Sequence, residues 1–163
     1  MADTPGNYVK RTTLMVRDMD RALVFYREVL GAEIWFDTPF TLSGEGFPIG
    51  KKGDRLRLCI VRFEDPEIGM IGLIEFEAPP EPAPPVTYSL GWGQPIFVVV
   101  ASDARGIHAR AQEHGFKLRN PEPHVWSTMG AKGETKHFVS TNLWDADGHF
   151  FECNQVTRID PAP

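Results

Sequence analysis

Leu14-Met15-Val16-Arg17-Asp18-Met19-Asp20-Arg21-Ala22-Leu23-Val24-Phe25-Tyr26-Arg27-Glu28-Val29-Leu30-Gly31 spells out a strand end, a helix cap, a helix and a helix stop, in that order. The run from Thr12 to Val16 is apolar, and Asp18 follows it with a carboxylate able to accept the orphan N–H groups of a first helical turn. Ala22, Leu23, Tyr26, Val29 and Leu30 share one helical face, with Asp20, Arg21, Arg27 and Glu28 mostly off it, so a helix is predicted over Met19–Leu30. Gly31 can take the left-handed conformation just past the helix end.

The same arrangement recurs further along. Ile96 to Ala101 is a second apolar run, Ser102 or Asp103 a second cap, and Ala104 to His114 a second helix closed by Gly115. That helix has a thinner stripe (Ala104, Ile107, Ala111), and its His108 and His114 are expected at the surface. Three strand candidates follow each helix. They are Ala32–Asp37, Arg55–Phe63 and Met70–Glu77 in the first half, and Phe116–Arg119, His137–Leu143 and His149–Val156 in the second. Pro79, Pro80, Pro82, Pro84 and Pro85 keep the intervening segment from pairing as a central strand. The expected organisation is therefore module one at 8–77, a linker at 78–92 and module two at 93–157. Loops 38–54 and 120–136 are long enough to act as lids or binding loops.

Composition excludes several classes of function. A net charge of −5 with no basic stripe argues against nucleic acid as a partner. No apolar run approaches the ~18 residues a membrane helix needs, and Met1 to Lys10 lacks a signal-peptide pattern. Cys59 and Cys153, each in an apolar run, read as buried thiols rather than one disulfide, which suits a cytoplasmic address. The glycine-rich stretch Gly44 to Lys51 fails as a phosphate loop, since no Ser or Thr follows Lys51 and no helix begins there.

The stretch from Leu14 to Gly31 resembles the opening of the glyoxalase/bleomycin-resistance/dioxygenase proteins, the vicinal oxygen chelate superfamily. Trp144-Asp145-Ala146-Asp147-Gly148-His149-Phe150-Phe151-Glu152 is similar to their closing hairpin, with Ala146 in place of the usual proline. The resemblance implies an α+β fold of two tandem βαβββ modules forming an open eight-stranded half-barrel around a central cavity. It also implies a small-molecule ligand and a homodimer.

In metal-using relatives each module contributes a ligand from its first and from its last strand. Glu75 and Glu152 match the last-strand ligands. Arg11 stands where a histidine is usual, and Gln94 is the nearest oxygen donor to the other histidine position. With those ligands the metal would be Zn, Ni, Mn or Fe, acting as a Lewis acid. A guanidinium cannot donate a lone pair. Placed ~4 Å from a divalent ion, it would oppose binding by about 8 kcal/mol at an effective dielectric of about 20. Arg11 therefore either replaces the metal as a fixed cation beside Glu75 or Glu152, or points away. Leu73, Glu75 and Glu77 share one strand face.

Trp126, Trp92 and Phe40, placed in loops, are candidates for stacking on a ligand, and His137 and Arg57 for polar contacts to it. Two functions stay open. One is an enzyme of the glyoxalase or dioxygenase type, using a metal or Glu152, Glu75 and Arg11 for acid–base chemistry on a small apolar or aromatic oxygen-bearing molecule. The other is a metal-free protein that binds or sequesters such a molecule.

Overall fold

The computed structural model describes residues 6–162, whose internal contacts fall into two compact units divided between Pro84 and Pro85. In the first unit, β1 (Arg11–Met15) leads into α1 (Met19–Leu23), followed by β2 (Glu33–Thr41), β3 (Arg55–Arg62) and β4 (Met70–Phe76). The sheet order is β1-β4-β3-β2, with β1 parallel to β4 and the other pairs antiparallel. In the second unit, β5 (Ile96–Val100), α2 (Ala104–Glu113), β6 (His124–Met129), β7 (Thr135–Trp144) and β8 (Phe150–Asp160) repeat that plan as β5-β8-β7-β6. Each sheet is mixed, four-stranded and open.

The caps act as the sequence predicts. The Asp18 carboxylate accepts from the Arg21 N–H at 2.9 Å, and Asp103 rather than Ser102 accepts from Gly106. Gly31 and Gly115 adopt φ of +80° and +68° past the helix ends. The first helix departs from regular α geometry. From Val24 to Val29 it is π-helical, and Leu30 N–H reaches back five residues to the Phe25 carbonyl at 3.1 Å. The wider turn keeps Phe25, Tyr26 and Val29 all fully buried against the sheet.

Other boundaries differ from expectation. Strand β2 runs on to Thr41, so Phe40 is a strand residue. Phe116–Arg119 makes only one isolated bridge, Leu118 to Leu143, and the regular strand is β6, inside the expected loop 120–136. Trp126 and His124 are thus strand residues. His108 is buried beneath α2 instead of exposed, because Ala104, Ile107 and Ala111 turn the same helical face to the sheet. Cys59 and Cys153 are free and buried. No helix among the described residues is long and apolar enough to cross a membrane.

Candidate functional site

The two faces of the first sheet carry different loads. A Cβ at Gly72 would meet Thr13 Oγ1 and Arg11 Cδ, so Arg11, Thr13 and Gly72 share a face, and alternation adds Ile74 and Phe76. Much of that face is filled by its own chain. Leu42 packs with Leu56, Ile74 and Phe76, and Ile49 and Leu58 complete the cluster. Gly50 is what lets the loop lie so close. Its φ is +80°, and a Cβ there would come within 2.7 Å of Leu42 and 3.2 Å of Phe76.

Glu75 belongs to the opposite face, beside α1, where its Oε1 accepts from the Met19 N–H at 3.3 Å. Arg11 and Glu75 therefore lie on opposite sides of one sheet and do not converge. Arg57 shares the Glu75 face. Asp37 holds its Nε and Nη2 at 3.0 and 2.8 Å, and Asp20 takes Nη1 at 3.3 Å. The hydrogen bonds from Arg57 keep the Asp37 carboxyl below its ordinary range, and those from Asp37 push the Arg57 pKa up. Phe40 pairs with Leu56 on the loop-filled face.

The second sheet has one face packed on α2 and one that is not. Phe97, Phe151, Cys153 and Leu143 point towards the helix. The other face can be read in rows from the register: Ile96–Phe150–Trp144, Val98–Glu152–Asn142 and Val100–Asn154–Ser140–His124, then Val156–Phe138–Trp126. Backbone bonds from Arg119 N–H to Asn142 and from Trp144 N–H to Lys117 extend the first two rows to Lys117 and Arg119.

On this face Val98 is 64% exposed and Val100 89%. Among these apolar groups runs a polar chain. Trp126, stacked on Phe138 at 4.5 Å, donates its Nε1–H to Ser140 Oγ at 2.8 Å. Ser140 donates to Asn154 Oδ1, and Asn154 Nδ2 donates to Glu152 Oε1 at 3.1 Å. Beside them, Asn142 Oδ1 and Trp144 Nε1 are buried with no hydrogen-bond partner among the described residues.

The remaining expected site residues sit elsewhere. Gln94 accepts from the Gly91 N–H at 2.7 Å and closes a turn from whose tip Trp92 projects fully into solvent. His137 lies at the far end of β7, its Nε2 2.8 Å from Asp160 and 2.9 Å from Arg158, and it lowers the Asp160 pKa by hydrogen bonding. Ser140, Asn142, Asn154 and Arg119 were not singled out from sequence. The pairing of β7 with β8, which no local pattern encodes, is what assembles them.

A divalent ion needs several donors at one point. Among the described residues no group of three or more His, Cys, Asp or Glu side chains is placed to hold one. Glu152 accepts from the Asn154 carboxamide, Glu75 accepts from the N–H of Met19 at the start of α1, and Gln94 closes a turn. Within each unit taken by itself, these residues do not form a metal centre.

A family model described as the glyoxalase/bleomycin resistance protein/dioxygenase superfamily matches residues 8–153. No curated protein gives a significant match. Among solved structures, a glyoxalase family protein from Bacillus cereus is similar over 96% of this chain and 98% of its own, at 18% identity and a TM-score of 0.63. TnmS3, an antibiotic-binding protein from Streptomyces sp. CB03234, is 22% identical over 96% of this chain and 99% of its own, with a TM-score of 0.53. A variant of the fosfomycin resistance protein FosX from Listeria monocytogenes, complexed with Mn(II) and a dihydroxypropylphosphonic acid, is 13% identical with a TM-score of 0.51, over 96% of this chain and 95% of its own.

Proposed function

The chain belongs to the glyoxalase/bleomycin resistance protein/dioxygenase superfamily, and from that premise we propose that it binds a small, flat, largely apolar molecule on the face of its second sheet that α2 does not cover. Glu152 is the polar anchor, accepting a hydrogen bond or a proton from an OH or NH group of the ligand. The observation that carries this reading is the hydrogen-bonded chain Trp126–Ser140–Asn154–Glu152 crossing a face of exposed valines. Asn154 holds one carboxylate oxygen and so orients the other, while Ile96, Val98, Val100 and Val156 supply apolar contact of the kind ligand sites use.

The superfamily hosts both enzymes and binding proteins, and TnmS3 is of the second kind. The geometry favours metal-free binding, with Glu152 the residue that would serve as a base if a reaction follows. A homodimer and a cytoplasmic address belong to the same proposal, and light scattering that found only monomer would remove the first.

The test is a fluorescence titration of chelator-treated protein with a naphthol, a flat hydroxyl-bearing probe. Saturable quenching is expected, weakened roughly tenfold in Glu152→Gln through loss of a charge-assisted bond. Binding that requires added divalent metal, or that ignores the substitution, contradicts the proposal.

A further inference from the structure

At one end of the same face a groove of about 530 Å³ opens among Tyr88, Leu90, Lys117, Arg119, Trp144 and Phe150. That is a usual size for a small-ligand site. Its floor is aromatic, with Trp144 and Phe150 5.0 Å apart and Tyr88 edge-on to Trp144 at 6.1 Å. Its wall is a strap of chain fitted closely to the β7–β8 corner. Gly148 has φ of +91°, and a Cβ there would lie 2.6 Å from the Thr87 carbonyl oxygen.

The rim carries two cations on one side. The bridge between Leu118 and Leu143 turns Lys117 and Arg119 to the same side of the sheet as Trp144 and Asn142. Among the described residues neither is paired with a carboxylate, whereas Arg55, Arg57, Arg62 and Arg158 each hold one. In a chain of net charge −5, two neighbouring unpaired cations over an aromatic floor are not explained by a generally basic surface. Arg119 and Glu152 flank Asn142 in one row, two strand spacings or about 10 Å apart.

We propose that this groove is an anion subsite, and that the ligand carries a carboxylate or similar oxyanion at the Lys117/Arg119 end of a flat aromatic body. Its hydrogen-bond donor faces Glu152 at the other end. The inference rests on the proposal that this face of the second sheet is the ligand face. The planar guanidinium of an arginine binds an oxyanion through two parallel hydrogen bonds and a lysine ammonium adds a point charge beside it, while an aromatic floor limits water and strengthens the pairing.

The experiment is calorimetric titration of the full chain with a hydroxynaphthoate whose hydroxyl and carboxylate lie at opposite ends of the ring, and with the corresponding carboxamide. The acid is expected to bind at least about tenfold tighter than the amide, with added salt weakening only the acid. A Lys117→Gln/Arg119→Gln double variant should abolish that preference, bringing the acid to about the affinity of the amide, while Arg119→Lys retains part of it. Both side chains are exposed, and an unaltered urea midpoint verifies folding. Equal affinities, indifferent to the double variant but both weakened by Glu152→Gln, would overturn the subsite and leave the ligand face standing. Failure of folded wild type to bind either compound, or binding indifferent to all these substitutions, would overturn both.

Discussion

Ser140 is the hinge of the polar chain, and removing its hydroxyl gives the sharpest test of that chain. The side chain is 1% exposed and serves two partners, accepting from Trp126 Nε1 at 2.8 Å and donating to Asn154 Oδ1. Ser140→Ala deletes two hydrogen bonds, each contributing about 1 kcal/mol net. Trp126 and Asn154 are only partly buried, so water can rescue some of the loss. The expected destabilisation is therefore about 2 kcal/mol rather than the larger cost of two fully buried orphans. Trp126→Phe removes the donor and keeps a ring on Phe138. Both substitutions remove the Trp126–Ser140 bond, so they should not add, and their coupling energy should be about 1 kcal/mol. The assay is urea denaturation of wild type, both single variants and the double variant. Additivity within about 0.3 kcal/mol, or a Ser140→Ala cost below about 0.5 kcal/mol, would refute the network.

Three further outcomes are expected. Gly148→Ala should lower stability by about 2 kcal/mol, from the left-handed backbone and the approach of Thr87, and should open the strap. A thermal midpoint equal to wild type would contradict the packing. Burial pushes the Cys59 thiol up to about 11 and, with a contribution from the Glu152 charge, Cys153 to about 12. Both should resist iodoacetamide in the folded protein and react in urea, as mass spectrometry would record. The folded pKa of Asp37 is depressed below its ordinary 3.8, so its contribution is present above that value and lost as pH falls through the folded one. With both partners about one-third exposed, it is worth about 1 kcal/mol or less. Arg57→Met should thus lower the urea midpoint near neutrality and by less at about pH 2, and a gap independent of pH would argue against the pairing.

Much of the architecture is written locally. Asp18, Gly31, Asp103 and Gly115 mark helix ends through their own side chains or lack of one, and Asp147-Gly148 marks the hairpin corner. What is written less locally was harder to read. Strand β6 has little apolar alternation because almost all its side chains are exposed, so its residues look like loop. The π-turn at Val24–Val29 depends on fitting Phe25 and Tyr26 together into the core, which helical spacing alone does not encode. Alternation correctly groups Leu73 with Glu75, but it does not say which face they take. That is decided by the parallel register of β4 on β1, which sends Glu75 towards α1 and Gly72 towards Arg11. Of the residues on the proposed face, Glu152 is named by the closing-hairpin motif, whereas Trp126 is named as a loop aromatic and lies instead in strand β6. Ser140, Asn142 and Arg119 acquire their places only through cross-strand pairing.

The loop that seats Leu42 and Ile49 on the first sheet has a consequence for stoichiometry. Duplicated modules invite the assumption of duplicated sites, two ligands for each polypeptide. Here one copy of the repeat has filled part of its own face with aliphatic carbon, and a flat solute would have to displace well-packed side chains to enter there. On the proposal that the second sheet carries the ligand face, the expected end point of the titration is one molecule per chain, and an end point of two would mean that the first sheet binds as well.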